Sequence, residues 1–356
     1  MPLVQNTELP TFSRLRGTGL EVLTPERAAR QDIREIHIGV LNLMPDAALE
    51  ATERQFFRLL GSSNRIAQFH VHPFTVAGVV RGENAQAHID AHYMRFSEVV
   101  DSGLDALIVT GANPANPDIT KEGFWTRMLD VIDWATENVC STFFSCLATH
   151  AVIQHYHGIE RVKLPEKRWG VYSHRVTDQP HPLVGTINTR FDAPHSHVYD
   201  VSPQQARDAG WRVLAEGEVS GLYLATSADG FRHVYCQGHP EYDINSLLKE
   251  YKRELNRFVA GIRDKPPFPE NYFPAGALEF LDAYLSDVET ALGQKSVAPT
   301  LDESELLPLL ENTWSDTGRA IFNNWLGLVY QITHHDRKIP FMEGVDPQDP
   351  LGLRAR

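Results

Sequence analysis

The chain is predicted to be an α/β protein, a doubly wound and mostly parallel sheet with C-terminal helical additions. Three observations predict it. Near-continuous apolar runs recur at 36–44, in IAQFHVHPF, in LDALIVTGA and at 140–144, as strands buried on both faces require. Segments with apolar residues at helical spacing alternate with these runs, the pattern of βαβ units. Pro45, Gly111, Cys146 and His239 fall at the ends of apolar runs, and open α/β sheets bind their ligands beyond the carboxyl ends of the strands.

Taken in order, residues 1–33 read as a polar, irregular N-terminal extension with one apolar piece, LEVLT. IHIGVLNLM is the first strand, stopped by Pro45, and 47–60 is a helix through Leu49, Phe56, Leu59 and Leu60. IAQFHVHPF and LDALIVTGA are the next strands. The stripe Phe124, Met128, Ile132 marks a helix, and 140–144 is a strand running into Cys146 and a further helix, 147–156. WGVYSHRV and GTINTRF read as short β pieces and DAPHSHVYDV as turn-rich. WRVLAEG, GLYLATSADG and RHVYCQGHP read as consecutive strands, with a hairpin turn at Asp229-Gly230. A helix covers 246–259, a proline-rich loop 265–274, and a mostly helical acidic stretch 275–310, before the apolar helix AIFNNWLGLVYQI. The expected organisation is an extension at 1–33 and a catalytic α/β domain at 34–262. A helical extension packed on the same domain follows at 263–335, and a flexible tail at 336–356.

A formal net charge of −13 argues against general attraction to nucleic acid or to an anionic membrane. An anionic substrate therefore needs a local basic pocket. Cys140, Cys146 and Cys236 form no disulfide framework and show no metal-ligand spacing, which suits a reducing cytosol. No metal site is expected. No export pattern and no run of membrane-spanning length is present, so a cytoplasmic location is expected.

The chemistry concentrates in VCSTFFSCLATHA and YCQGHPEYD. Cys146 sits at a strand-to-helix turn, where the helix N-terminus favours a thiolate. His239 and Glu241 are two apart, the spacing at which side chains of an extended segment face the same way. A thiol, a base and a carboxylate that orients the base make a nucleophilic triad. The bland alternative is a core cysteine and a loop histidine. Both residues lie at strand ends, with Gly238 and Pro240 fixing the turn around His239, which favours the triad.

LNLMP, QFFRLL, LIVTGA, FFSCLATHA, EKRWGVYSH, APHSHVYD, GHPEYD, NYFP and NNWLGLVYQIT occur in one order across residues 15–333. In this the chain resembles the homoserine O-acyltransferases of the MetA type. The resemblance implies a fold like the class I glutamine amidotransferase domain. It also implies acyl transfer from acyl-coenzyme A to the hydroxyl of L-homoserine through a cysteine thioester, in methionine synthesis. Position by position it implies Cys146 as nucleophile, His239 as base and Glu241 as its partner. Arg253 would hold the amino acid's carboxylate, and Lys167 and Ser196 would line the substrate pocket. Acyl-coenzyme A is then a co-substrate, no cofactor is needed, and a homodimer acting on small molecules is expected. The backbone N–H of Leu147 and one from Gly111-Ala112 are the oxyanion donors expected by position.

The chain departs from the family in three places, one of them an insertion between NYFP and the final WSDTGRAIFNNW block. DAALEATERQF lacks the lysine pair that usually follows LNLMP. TGANPANPD carries Ala115 where acyl choice is usually read, as glycine in succinyl users and glutamate in acetyl users, so a succinyl donor is favoured over acetyl. L-serine, one methylene shorter, is the alternative acceptor, since a methylene is worth only about 1–3 kcal/mol of discrimination. A glutaminase or amidotransferase is the rival class. Its elbow normally reads Gly-x-Cys-x-Gly, whereas Ser145 and Ala148 surround Cys146 here.

Overall fold

The computed structural model describes residues 3–354 except Asp32 and Arg65. Among them eleven strands make one sheet: β1 (Leu3–Val4), β2 (Val22–Leu23), β3 (Glu35–Leu41), β4 (Gln68–Phe74), β5 (Ala106–Val109), β6 (Ser141–Ser145), β7 (Val162–Val176), β8 (Arg190–Asp200), β9 (Arg212–Gly217), β10 (Gly221–Thr226) and β11 (His233–Cys236). Their order is β2-β1-β4-β3-β5-β6-β11-β10-β9-β7-β8. The strands from β2 to β11 in that order pair in parallel, and β10, β9, β7 and β8 complete the sheet antiparallel.

Alternation along the central strands explains why they are apolar throughout. Ile36, Ile38 and Val40 of β3, Ala106 and Ile108 of β5, and Phe143 of β6 face one core. Leu41, Leu107, Val109 and Phe144 face the other. The first core is closed by the helices Asp46–Ser63 and Ser315–Ile332. The latter sets Phe322 4.7 Å and Trp325 5.5 Å from the Phe143 ring, and Trp325 Nε1–H donates to Ser141 Oγ at 2.8 Å. Each such ring contributes about 1.5–3 kcal/mol by its burial. The helices Trp125–Asn138 and Leu147–His157 close the second core through Met128, Ile132, Ala151 and Val152. A third cluster joins Trp169, Leu248 and Tyr251 to Leu281 and Leu285 of the helix Ala275–Gly293.

Four expectations need correction. GTINTRF, expected as a β piece, is turn up to Thr189 and joins a strand only at Arg190. The extension at 1–33 is not an irregular leader, because β1 and β2 lengthen the sheet beyond β4 and the helix Pro10–Gly17 packs Phe12 on Phe57 at 5.6 Å. Two-residue strands carry no periodicity to read. DAPHSHVYDV is strand rather than turn: it belongs to β8, the sheet's last strand, and an edge tolerates Pro194 because one side of the ladder needs no donor. The segment after 335 is not a loose tail among the described residues. Phe341 is buried in the first core, Met342 N–H donates to Ile332 O at 2.9 Å, and Leu351 packs against the same core. The helices Glu83–His92 and Phe96–Ser102 carried too weak an apolar stripe to be anticipated. No described helix is long and apolar enough to cross a membrane.

Candidate active site

β6 ends in Ser145, and Cys146 follows with φ 50° and ψ −108° before the helix Leu147–His157 begins. A non-glycine residue there stores about 1–3 kcal/mol of strain, which the flanking strand and helix hold in place. The turn lifts the thiol out of the sheet at a helix N-terminus, the geometry of a nucleophile elbow. Gly111, just beyond β5, passes so close that a Cβ on it would lie 3.5 Å from Cys146 Cβ. Any side chain at 111 would begin to fill the space over the sulfur.

β11 runs parallel beside β6, and its exit loop carries His239. The His239 N–H donates to Pro194 O at 2.9 Å, and its Nδ1 lies 2.8 Å from Glu241 Oε1. Both side chains are nearly buried. His239 Nε2 has no conventional hydrogen-bond partner among the described residues, and the residue borders the same cavity as Cys146. Burial opposes the imidazolium, but the Glu241 carboxylate and then the Cys146 sulfur outweigh it and push the imidazole up to about 10. Cys140 and Cys236, buried in the sheet, have their thiols pushed well up by desolvation, which disfavours their thiolates.

Cys146, Leu147, Gly111, Ala112, His239, Lys167, Ser196 and Arg253 all border one cavity of about 240 Å³. Leu147 is the first helical residue, so its N–H has no intrahelical acceptor. Arg253 stands at the rim, 58% exposed in its side chain, with Nε–H donating to Glu254 Oε1 at 3.1 Å. Ala115 is not brought in. It is exposed, and the loop borders the cavity only through Gly111, Ala112, Asn113 and Pro114. Pro114 and Pro117 flank this stretch, and the chain leaves the cavity after Pro114.

Sequence reasoning missed two residues. Glu250 is the hub of the cavity's polar wall: Oε2 accepts from Lys167 Nζ at 2.9 Å and Ser196 Oγ at 2.6 Å, and Oε1 from Tyr242 OH at 2.7 Å. Burial alone would raise its carboxyl, but the Lys167 ammonium and the two hydroxyls hold it below the usual range. Tyr242 also stacks on the His239 ring at 4.3 Å, so the hub touches that imidazole. Arg161 is the second. Its guanidinium lies 3.9 Å from the Tyr199 ring centroid, and Nη2–H donates to Pro117 O at 3.0 Å. Its buried Nε has no partner among the described residues. Glu250 falls on the face of the helix Ser246–Val259 that turns toward the sheet, three residues before Arg253, and that i,i+3 relation was the available signal. Arg161 lies in a loop and left none.

Of the other histidines near the site, His150 is tied through Nε2 to Gln237 Oε1 at 2.9 Å. His195 lies between His174 and His197 at 3.0 Å from each, away from the cavity.

The family model described as homoserine O-succinyltransferase matches residues 2–335. Curated proteins called homoserine O-succinyltransferase match almost end to end. One from Allochromatium vinosum is 56% identical over 99% of this chain and 99% of its own. One from Methylobacter tundripaludum is 56% identical over 99% and 100%, and one from Nitrosococcus oceani 55% over 99% and 99%. Among solved structures, a glutamine amidotransferase from Methylobacillus flagellatus aligns with a TM-score of 0.44 at 12% identity, over 83% of this chain and 95% of that one.

Proposed function

Because this chain belongs to the homoserine O-succinyltransferase family, we propose that it moves a succinyl group from succinyl-coenzyme A to the hydroxyl of L-homoserine through a thioester on Cys146, a step of methionine biosynthesis. The observation that carries the reading is that Cys146 and His239 share one cavity, which the Lys167–Glu250–Ser196 cluster also lines.

In the first half-reaction the Cys146 thiolate attacks the thioester carbonyl. The N–H groups of Leu147 and of the Gly111-Ala112 loop receive the oxyanion, and losing one such donor typically costs about 10²–10³ in turnover. Coenzyme A leaves as its thiolate and takes the His239 proton. Exchange of one thioester for another is nearly isoenergetic, so the protein's task is to hold the groups in position. In the second half-reaction His239 takes the homoserine hydroxyl proton as that oxygen attacks the acyl carbon, and the Cys146 thiolate leaves. Glu241 holds the imidazole in one tautomer throughout.

The zwitterionic acceptor suits these lining charges. Its carboxylate is assigned to Arg253 and its ammonium to Glu250. The Tyr242 ring, stacked on His239 and bonded to Glu250, sets the distance from the ammonium to the base. For the donor, Arg161 supplies the cation that a succinyl carboxylate needs, in a protein of net charge −13. It also takes up the part that the lysines absent after LNLMP would play near the thioester. The proposed setting is the cytosol, with the protein a homodimer.

Intact-mass spectrometry of protein mixed with succinyl-coenzyme A alone tests the reading. The expected result is one added succinyl group, absent from Cys146→Ala and discharged by L-homoserine faster than by L-serine or water. An adduct that persists in Cys146→Ala, or glutamine hydrolysis without any adduct, overturns it.

A further inference from the structure

A second cluster of chemistry-bearing side chains lies at the opposite end of the sheet. β3 and β4 run parallel with His37 opposite His70, Glu35 opposite Gln68 and Gly39 opposite His72. Residues two apart on a strand share a face, so Glu35, His37, His70 and His72 project together at the amino ends of the strands. Cys146 and His239 lie beyond the carboxyl ends.

The geometry points to a divalent transition-metal site, of the zinc class, made by Glu35, His37 and His70. One ligand atom from each residue lies within 4.8 Å of the others. His37 Nε2 is 3.3 Å from Glu35 Oε2, and His70 Nε2 is 3.6 Å from Glu35 Oε1. The two contacts use different oxygens of one carboxylate, so Glu35 faces both imidazoles. His70 Nε2 is buried with no hydrogen-bond partner among the described residues. The imidazoles of His37 and His70 stack at 4.7 Å and 10°, which keeps both Nε2 atoms on the Glu35 side.

The surroundings supply what a metal-bound histidine needs. His37 Nδ1 lies 2.9 Å from His72 Nε2, so a proton on His37 Nδ1 leaves the Nε2 lone pair for the metal. The His37 backbone is pinned by its N–H donating to Asp105 Oδ2 at 2.8 Å. Glu35, half exposed, can swing onto an ion, and Glu35 and His37 border a surface cavity that gives access. Two imidazoles and one carboxylate suit zinc, nickel or copper, with water completing the shell. The opposing charges are Arg337, which acts on all three histidines, and Arg34, which borders the same cavity with Asp105 and Asp336. The sequence showed no metal spacing because the ligands come from two strands, joined only by register.

Titration of tag-free, chelator-stripped full-length protein tests the site, with zinc by calorimetry and cobalt by visible absorption. A Cys146→Ala background removes the thiol as a competing ligand. One equivalent of metal should bind, with a cobalt spectrum lacking thiolate charge transfer. His37→Ala and His70→Ala should each weaken binding by more than tenfold, His72→Phe by about 10–100-fold, and Arg337→Gln should tighten it. Near-UV circular dichroism verifies that each variant is folded. In the Cys146 protein, His70→Ala should leave acyl transfer unchanged. Absence of a stoichiometric site, binding that survives His37→Ala or His70→Ala, or binding indifferent to Arg337→Gln overturns the inference.

Discussion

The backbone N–H of Cys146 donates to the carbonyl of Cys236 at 2.7 Å, the last rung between β6 and β11. That bond fastens the strained turn at Cys146 to the strand whose exit loop delivers His239 three residues later. The sulfur and the imidazole therefore meet through the sheet's own hydrogen bonding. The Glu241–His239 pair needs only its own loop.

His239→Ala should abolish both half-reactions, because one imidazole serves each. Glu241→Gln should cost about 10²–10⁴ in turnover, since it spoils the tautomer and leaves the ring in place. Single-turnover acylation and deacylation rates separate the two. Near-normal rates in His239→Ala would transfer the role of base to His150, which also borders the cavity.

Acceptor binding should fail separately from acylation. Glu250→Gln and Arg253→Ala should raise the KM for homoserine or stop the second half-reaction, with the succinyl adduct still forming at its usual rate. Loss of a charge-assisted pair is worth about 1.5–3 kcal/mol, or roughly 10–100-fold in kcat/KM for the acceptor. Loss of adduct formation in Arg253→Ala would move that residue to the donor or to the scaffold.

Donor choice should follow Arg161 rather than Ala115. Arg161→Met should lower kcat/KM for succinyl-coenzyme A by roughly 10–100-fold and leave acetyl-coenzyme A nearly unchanged. Ala115→Glu should change both donors little, since an added carboxylate at this exposed position stays in water. Parallel half-reaction kinetics with the two donors check both statements, and a switch of preference in Ala115→Glu would refute the second.

Stability should fall on the acid side. Desolvation pushes the imidazoles of His150, His174 and His197 down to about 3, against about 6.5 in an unfolded chain. Between those values the unfolded state binds more protons, so the stabilisation is complete above about 6.5 and is lost as pH falls toward 3. His174→Gln keeps a polar group beside Ser220 and His195 and removes one titration. Its Tm should decline less steeply over that window. An unchanged slope would mean His174 does not carry the effect.

Much of the site was legible because it is local. Cys146 after an apolar run, with a helix following, and His239 two residues before Glu241, are patterns within a dozen residues. The central strands were legible because burial on both faces demands uninterrupted apolar side chains, and β3, β5 and β6 have them. β8 was not, because an edge strand is free to carry Asp192, Pro194 and Ser196, residues that elsewhere mark turns. The tail was misjudged for the opposite reason: Phe341 and Leu351 anchor a segment whose average is polar.

By itself, then, the sequence determined the parallel α/β core, the elbow cysteine and the histidine–glutamate pair, since each is set by chain neighbours and by apolar periodicity. Only the tertiary structure decided which distant charges meet. It brought Lys167 of β7, Ser196 of β8 and Glu250 of a later helix onto one carboxylate, carried Ala115 out of the cavity, and set Glu35, His37 and His70 side by side. The physical reason is that a polar side chain has no pattern of its own. Its partner is fixed by strand order and register, which depend on how the whole apolar core closes.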